Sequence, residues 1–111
     1  MSKKKISILI TSFNKSKFIK KTVESCLKQN FNKKEILVYD DCSTDGSIEI
    51  LKKFKKIRLI KNKKKKFLSS PLNQIYGIME LFKKSKGEII FLLDGDDLFK
   101  KNKLKSIFRI F

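Results

Sequence analysis

Acidic residues are scarce in this chain, and more than half of them fall in two short stretches. The chain has 11 Asp and Glu against 28 Lys and Arg, for a net charge of +17. The clustered residues are Asp40, Asp41, Asp45, Asp94, Asp96 and Asp97. Carboxylates held this close repel one another unless a cation lies beside them. With no His in the chain, they suit a hard ion such as Mg²⁺ or Mn²⁺ that also binds substrate phosphates. A metal-bound diphosphate is therefore favoured over a simple polar turn.

Each acidic cluster comes directly after an apolar run that predicts a β-strand. Residues 35–39 precede the first cluster, and residues 89–93 predict a strand buried on both faces. A first strand is predicted over residues 5–10, followed by a polar loop with Phe13. Because ligands bind at the carboxyl ends of parallel strands, we expect both clusters and the Phe13 ring to surround one crevice. There the ring could stack on a base, and a carboxylate such as Asp41 could accept from a base N–H.

In the segments between the predicted strands, apolar residues recur at the three- and four-residue spacing of helices. Ser16 and Ser70 are plausible N-caps for two of the helices. The predicted helices cover residues 16–29, 48–54 and 71–84 and begin again at residue 104, and a third strand covers residues 56–60. This alternation predicts an α/β fold with three α/β/α layers and a mostly parallel, Rossmann-like sheet. The length and the lack of a linker predict a single domain over residues 1–111.

Lysine supplies most of the positive charge, and AT-rich coding can produce such a bias without selection for binding. A functional basic patch and an ordinary solvated surface are therefore equally open. For the Lys-rich segments Lys61–Lys66 and Lys100–Lys105, solvation is the first interpretation and peripheral contact with an anionic membrane is the second. Cys26 and Cys42 fit no disulfide or zinc pattern, and no apolar run reaches the ~18 residues of a membrane span. We expect a cytoplasmic protein, with contact at the inner face of the membrane as an option.

At these motifs the sequence resembles the inverting glycosyltransferases of family 2, which have the GT-A fold and use nucleotide-diphosphate sugars. Residues 6–14 resemble the family's opening strand and loop, with Phe13 where Tyr is usual. Residues 40–47 are similar to its Asp-Asp-x-Ser-x-Asp-Gly-Ser signature, and residues 93–97 are similar to its Asp-x-Asp motif. Three motifs in order are far more specific than a lone Asp-x-Asp.

The resemblance implies the nucleotide-sugar-binding half of a metal-dependent glycosyltransferase of cell-surface glycan synthesis. Its cofactor would be Mn²⁺ or Mg²⁺, and its donor would be a nucleotide-diphosphate sugar, with a UDP-sugar favoured. Thr11 and Phe13 would line the base pocket. Asp41 would hydrogen-bond the base, commonly uracil.

The diphosphate end of the donor would meet the second acidic cluster. Asp94 and Asp96 would address the diphosphate and its metal, with Asp96 the residue expected to contact the metal most directly. Supporting positions would be Asn14, Asp40, Ser43, Asp45 and Asp97. For Asp40, bracing the loop and contacting the ligand are equally open.

Two departures from the family pattern affect the expected activity. Many relatives carry an Arg-Asn pair at the start of the third helix, where this chain has Leu72 and Asn73, so nearby lysines would supply the phosphate charge. The family's catalytic base and acceptor-binding residues lie in a C-terminal half that the sequence does not include. We therefore expect donor binding without efficient transfer to a glycan or lipid-linked acceptor. We also expect self-association through the surface that this half would cover.

Other functional classes explain less of the sequence. A phosphoryl-receiver domain would carry its acidic pair after the first strand, whereas here the pair follows the second. A non-catalytic basic module binding anionic membrane or nucleic acid is the alternative, and it would explain the charge of +17. It does not explain why six acids are expected to converge at strand ends. We therefore expect no nucleic-acid partner.

Overall fold

Strands and helices alternate along the chain. This computed structural model describes residues 4–100 together with 103 and 104. The elements are β1 Ile6–Ser12, α1 Ile19–Leu27, β2 Lys34–Asp41, α2 Ser47–Lys52, β3 Arg58–Asn62, α3 Ser70–Lys84 and β4 Ile89–Asp94. Beyond Leu104, the predicted last helix lies outside the described residues.

The described strands form one sheet in the order β3-β2-β1-β4, and every neighbouring pair is parallel. All seven residues of β1 are buried, since it lies between β2 and β4. Thr11 of β1 pairs with Tyr39 of β2 and with Asp94 of β4, and Asp41 pairs with Asn62 of β3. The carboxyl ends of β1, β2 and β4 therefore meet at one edge of the sheet, where ligands bind in such folds.

Helices cover both faces of the sheet. On one face, Val23 of α1 and Leu51 of α2 share a buried cluster with Ile8 and Ile10 of β1 and with Ile36 and Val38 of β2. On the other face, Leu81 of α3 packs in a second cluster with Leu9 of β1. Both clusters draw on the same strands because successive side chains of a strand point to opposite faces. The predicted three-layer α/β/α fold with a parallel sheet is confirmed.

β4 is less buried than the sequence predicts. Leu92 is 55% exposed, and the other residues of the strand are half-buried. β4 is one of the two edge strands of the described sheet, and α3 packs mainly over β1 and β2. The prediction of a strand buried on both faces is therefore wrong for the described chain. Position in the sheet, and not hydrophobicity, sets the burial of this strand.

Several element boundaries also differ from the predictions. β1 extends through Ser12, so the ladder and not a loop carries the first polar residues of the crevice. α1 begins at Ile19, because Ser16 opens a turn and donates its backbone N–H to Oδ2 of Asp45 at 2.9 Å. β3 ends two residues later than predicted, which brings Asn62 into the ladder.

An apolar stripe is exposed along α3. Its residues Leu72, Ile75, Met79 and Phe82 are all about half exposed or more, with Phe82 61% exposed. Met79 and Phe82 of this stripe, together with Leu92 of β4, line a mostly apolar groove. The self-association expected from the sequence stays a prediction. Within the described residues, none of the helices has the length and hydrophobicity that crossing a membrane requires.

Candidate functional site

A cavity opens at the edge of the sheet where β1, β2 and β4 end. Its volume is about 170 Å³, below the roughly 300–1,000 Å³ typical of small-molecule sites. The residues lining it include Thr11, Ser12, Phe13, Asp41, Lys65 and Asp94. They come from the ends of three strands and from the loop between β3 and α3. The cavity therefore joins parts of the chain that are distant in sequence.

The carboxylate of Asp41 is held from two sides. Its Oδ1 accepts a hydrogen bond from Nδ2 of Asn62 at 2.9 Å, and its Oδ2 lies 3.4 Å from Nζ of Lys65. The same ammonium lies 3.3 Å from the centroid of the Phe13 ring, within cation–π distance. Lys65 thus contacts both residues predicted to meet a base. Asp41 is only 8% exposed, so these contacts replace water that its oxygens have lost.

Thr11 and Ser12, at the end of β1, line the cavity. Thr11 Oγ1 accepts from Nε2 of Gln74 in α3 at 3.3 Å. Ser12 is 3% exposed, and its Oγ has no hydrogen-bond partner among the described residues. A Cβ added at Gly95 would lie 3.0 Å from that Oγ, so glycine keeps the space beside it open. The Ser12 hydroxyl is therefore buried beside the cavity without a protein partner in the described chain, which is costly for a polar group.

The loop after β4 closes on itself through its own carboxylates. Asp94 Oδ1 accepts from the N–H of Gly95 at 2.8 Å, and Asp97 Oδ2 accepts from the N–H of Asp94 at 2.8 Å. Asp96 is exposed, and its Oδ2 lies 3.2 Å from Nζ of Lys15. Lys15 and Asp94 line the cavity, so the ion pair links Asp96 to its rim. Asp97 braces the turn through its hydrogen bond.

Asp40, the neighbour of Asp41 in β2, has different surroundings. It is fully buried, and its two oxygens accept from the backbone N–H of Ser43 at 2.9 Å and from the Ser43 hydroxyl at 2.6 Å. Burial raises the pKa of Asp40 above its ordinary value, although the two bonds from Ser43 act in the opposite direction. Asp40 does not belong to the cavity lining given by the described residues. Its contacts are those of a loop brace.

Asp45 and Asn14 tie the loops after β1 and β2 together. Asp45 Oδ1 accepts from the hydroxyl of Ser47 at 2.5 Å, and its Oδ2 accepts from the N–H of Ser16 at 2.9 Å. Desolvation acts to raise the pKa of Asp45, but the hydrogen bonds from these serines outweigh it and lower the pKa to about 2. The Asn14 N–H donates to Oγ of Ser43 at 2.8 Å. The two loops are therefore held in a fixed relation at the cavity.

Several contributors to the cavity were not singled out in the sequence. They are Lys15, Asn62, Lys65 and Gln74. Lys65 stands in a run of lysines that look alike in sequence, so nothing local marks it. Gln74 reaches the cavity only because α3 packs over β1 and β2.

Comparison with known proteins supplies the family. The sequence profile of glycosyl transferase family 2 matches residues 7–111, which is nearly the whole chain. The chain belongs to glycosyl transferase family 2. This confirms the resemblance given by the three motifs.

Family 2 relatives are much longer than this chain. TarS, a poly(ribitol-phosphate) β-N-acetylglucosaminyltransferase of Staphylococcus aureus, is 30% identical over 104 residues, which cover 92% of this chain and 18% of TarS. The glycosyltransferase GlyG of Streptococcus pneumoniae is 30% identical over 108 residues, which cover 94% of this chain and 34% of GlyG. The chain thus corresponds to a fraction of either enzyme.

Two solved structures of glycosyltransferases share the fold. The crystal structure of S. aureus TarS 1–349 in complex with UDP-GlcNAc matches with a TM-score of 0.73 at 28% identity, over 95% of this chain and 30% of TarS 1–349. The mannosyltransferase PcManGT of Pyrobaculum calidifontis, in complex with GDP-Man and Mn²⁺, matches with a TM-score of 0.77 at 16% identity, over 96% of this chain and 31% of PcManGT. The second likeness concerns the fold alone.

The carboxylates after β4 fit a metal only in part. In the portion of the chain that the structure describes, no three potential Asp, Glu or Cys ligands converge to hold an ion. Asp94 lines the cavity, and Asp96, on the other side of Gly95, is linked to the cavity rim through its ion pair with Lys15. Mg²⁺ is commonly bound by one or two carboxylates with substrate phosphates and waters in the other positions. This donor set therefore fits a metal that a diphosphate completes, and not a metal held by the protein alone.

Proposed function

We propose that the chain binds a nucleotide-diphosphate sugar, with a UDP-sugar favoured, as the donor of a glycosyl transfer. The observation that carries the proposal is the shared cavity, in which Phe13, Asp41 and Asp94 meet from three strand ends. An aromatic face, a carboxylate acceptor and an acidic rim correspond to the base, its N–H and a metal-bound diphosphate. The likeness to TarS, crystallised with UDP-GlcNAc, supports the same conclusion.

The base end of the donor would lie between Phe13 and Asp41. Phe13 is 41% exposed, so its ring is accessible for stacking on a planar base. Asp41 Oδ2 would accept the N3–H of uracil, while Asn62 keeps the carboxylate in place through Oδ1. Thr11 Oγ1, held by Gln74, would support this end of the cavity.

The diphosphate would lie towards the loop after β4. Asp94 and Asp96 would hold Mn²⁺ or Mg²⁺ together with the phosphate oxygens, and the metal would act as a Lewis acid on the departing diphosphate. The ammonium of Lys15, which pairs with Asp96, would also be available to the negatively charged diphosphate.

The complete reaction requires more than this segment supplies. The chain covers 18% of TarS and 34% of GlyG. We propose that a longer protein supplies the general base for an inverting transfer and the site for a glycan or lipid-linked acceptor. We further propose that it works at the inner face of the membrane in cell-surface glycan synthesis. The isolated chain would bind the donor with little or no transfer.

Calorimetric titration of the chain with UDP tests the proposed function. We expect binding in MnCl₂ that weakens in EDTA, because the diphosphate is then without its metal. Asp41→Asn should weaken UDP binding about tenfold, since a charged acceptor of the base N–H is lost. Glu49→Gln, a change of an exposed acid in α2, serves as the control with unchanged affinity. A folded chain that gives no heat with millimolar UDP in MnCl₂ would refute the proposal.

A further inference from the structure

Lys65 occupies the place that a stacked base would take. Its ammonium lies 3.3 Å above the centroid of the Phe13 ring, a distance close to the spacing of stacked aromatic planes. It also lies 3.4 Å from Oδ2 of Asp41. The described structure therefore has a cation in the space between the two groups that the proposed function assigns to the base. A base that stacks on this face of Phe13 must displace the ammonium.

The backbone of the Lys65 loop is anchored nearby. Asn73 of α3 is 4% exposed, accepts from the N–H of Phe67 at 3.0 Å and donates to the Phe67 carbonyl at 2.8 Å. These bonds fix the chain two residues beyond Lys65. The lysine side chain, with four flexible carbons, can still move its ammonium by several ångströms. Displacement from the Phe13 face thus leaves Lys65 beside the cavity.

Asp41 and Lys65 together present a hydrogen-bond acceptor next to a donor. Asn62 holds Oδ1 of Asp41, so Oδ2 is the oxygen that faces Lys65. Uracil carries the complementary pair along one edge, with N3–H as donor beside the O4 carbonyl as acceptor. Cytosine carries the opposite pair, because its N3 is an acceptor and its N4 is a donor. Cytosine would therefore set a lone pair against the carboxylate and an amino group against the ammonium.

We infer that Lys65 is a specificity-determining residue that moves from the Phe13 face to the base edge and donates to the base carbonyl beside the N–H read by Asp41. The inference rests on the proposed function and adds a second base contact to it. Guanine has the same N–H and C=O neighbours, so this pair rejects cytosine and adenine without separating uracil from guanine. In this role, the flexible ammonium of lysine imposes less direction on the hydrogen bond than a more rigid side chain would.

Competition between UDP and CDP tests the inference, since the two ligands differ only in the base. We expect the unaltered chain to bind UDP more tightly than CDP. Lys65→Met keeps the length of the side chain and removes its charge, and it should weaken UDP binding about fivefold to tenfold. This is the cost of losing a charge-assisted hydrogen bond to the base, partly offset because no ammonium has to leave its contact with the Phe13 ring. CDP binding should be unchanged or tighter. The UDP-to-CDP affinity ratio should therefore fall by fivefold or more.

Two further variants separate this effect from loss of a positive charge. Lys64→Met removes an exposed lysine of the same loop that is not in the cavity lining given by the described residues, so the ratio should not change. Lys65→Arg retains a cationic donor and should keep most of the preference for UDP. Circular dichroism should show the same fold for every variant, since Lys65 is an exposed loop residue.

The outcomes distinguish the inference from the proposed function. If Lys65→Met changes UDP and CDP affinities by the same factor, or tightens both, Lys65 only obstructs the cavity and the inference is overturned. Equal binding of UDP and CDP by the unaltered chain would overturn it too, with the proposed function intact. Binding of neither nucleotide in MnCl₂ would overturn both.

Discussion

Replacing Asp96 by Ala is the sharpest test of the acidic rim, because it should separate ligand binding from stability. Asp96 Oδ2 lies 3.2 Å from Lys15 Nζ, and the two side chains are 42% and 29% exposed. Ion pairs this exposed contribute about 0–1 kcal/mol. Asp96→Ala should therefore lower the free energy of unfolding by less than about 1 kcal/mol. For a domain of this size, the melting temperature should fall by no more than about 5 °C.

Binding should respond far more strongly than stability. Asp96 supplies one of the two carboxylates that we assign to the metal. The factor by which Mn²⁺ increases UDP affinity should therefore be at least tenfold smaller in the variant than in the unaltered chain. In EDTA the variant should bind UDP as well as the unaltered chain or slightly better, because Lys15 loses its carboxylate partner and becomes available to the diphosphate. Calorimetric titrations with UDP in MnCl₂ and in EDTA, with a urea melt of each protein, provide these values.

Glu49→Ala is the matched control, since it removes one exposed carboxylate from α2. It should alter neither the Mn²⁺ effect nor the response in EDTA. A full Mn²⁺ effect in Asp96→Ala would show that the metal and the diphosphate lie elsewhere. A loss of several kcal/mol of stability would show that Asp96 is structural, and the reasoning from its exposure would be wrong.

Two further substitutions test the packing and the loop brace. In Gly77→Ala, the added Cβ would lie 2.6 Å from Cδ2 of Tyr39, which is 3% exposed and lines the cavity. Overpacking costs about 1–3 kcal/mol, and the gain in helix propensity offsets about 1 kcal/mol of that. Urea denaturation should therefore show a free energy of unfolding lower by about 1 kcal/mol. Increased stability would contradict the close contact. The pKa of Asp45 is lowered to about 2 in the folded chain, so its stabilisation is present above pH ~4 and is lost as the pH falls towards ~2. The melting temperature should therefore fall more between pH 5 and pH 2.5 in the unaltered chain than in Asp45→Asn, and parallel curves would argue against the Asp45 hydrogen bonds.

Local sequence could predict the acidic residues of the crevice but not all of their roles. Asp41 and Asp94 each end an apolar run, and parallel strands bring such ends to one edge whatever the loops between them do. Asp40 differs from Asp41 by one position, yet the alternation of the strand and the Ser43 contacts bury it away from the cavity. Leu92 looked like a core residue, but its strand lies at an edge of the described sheet.

The sequence by itself determined the alternation of strands and helices, the strand ends that carry the acids, and the family, because each is encoded in short runs of neighbouring residues. Only the tertiary structure decided which lysines belong to the site. Lys15 meets Asp96, and Lys65 meets both Phe13 and Asp41, across 81, 52 and 24 positions of the chain. Contacts over such separations depend on how the loops pack at the sheet edge, and no local pattern distinguishes one flexible, charged side chain from its neighbours.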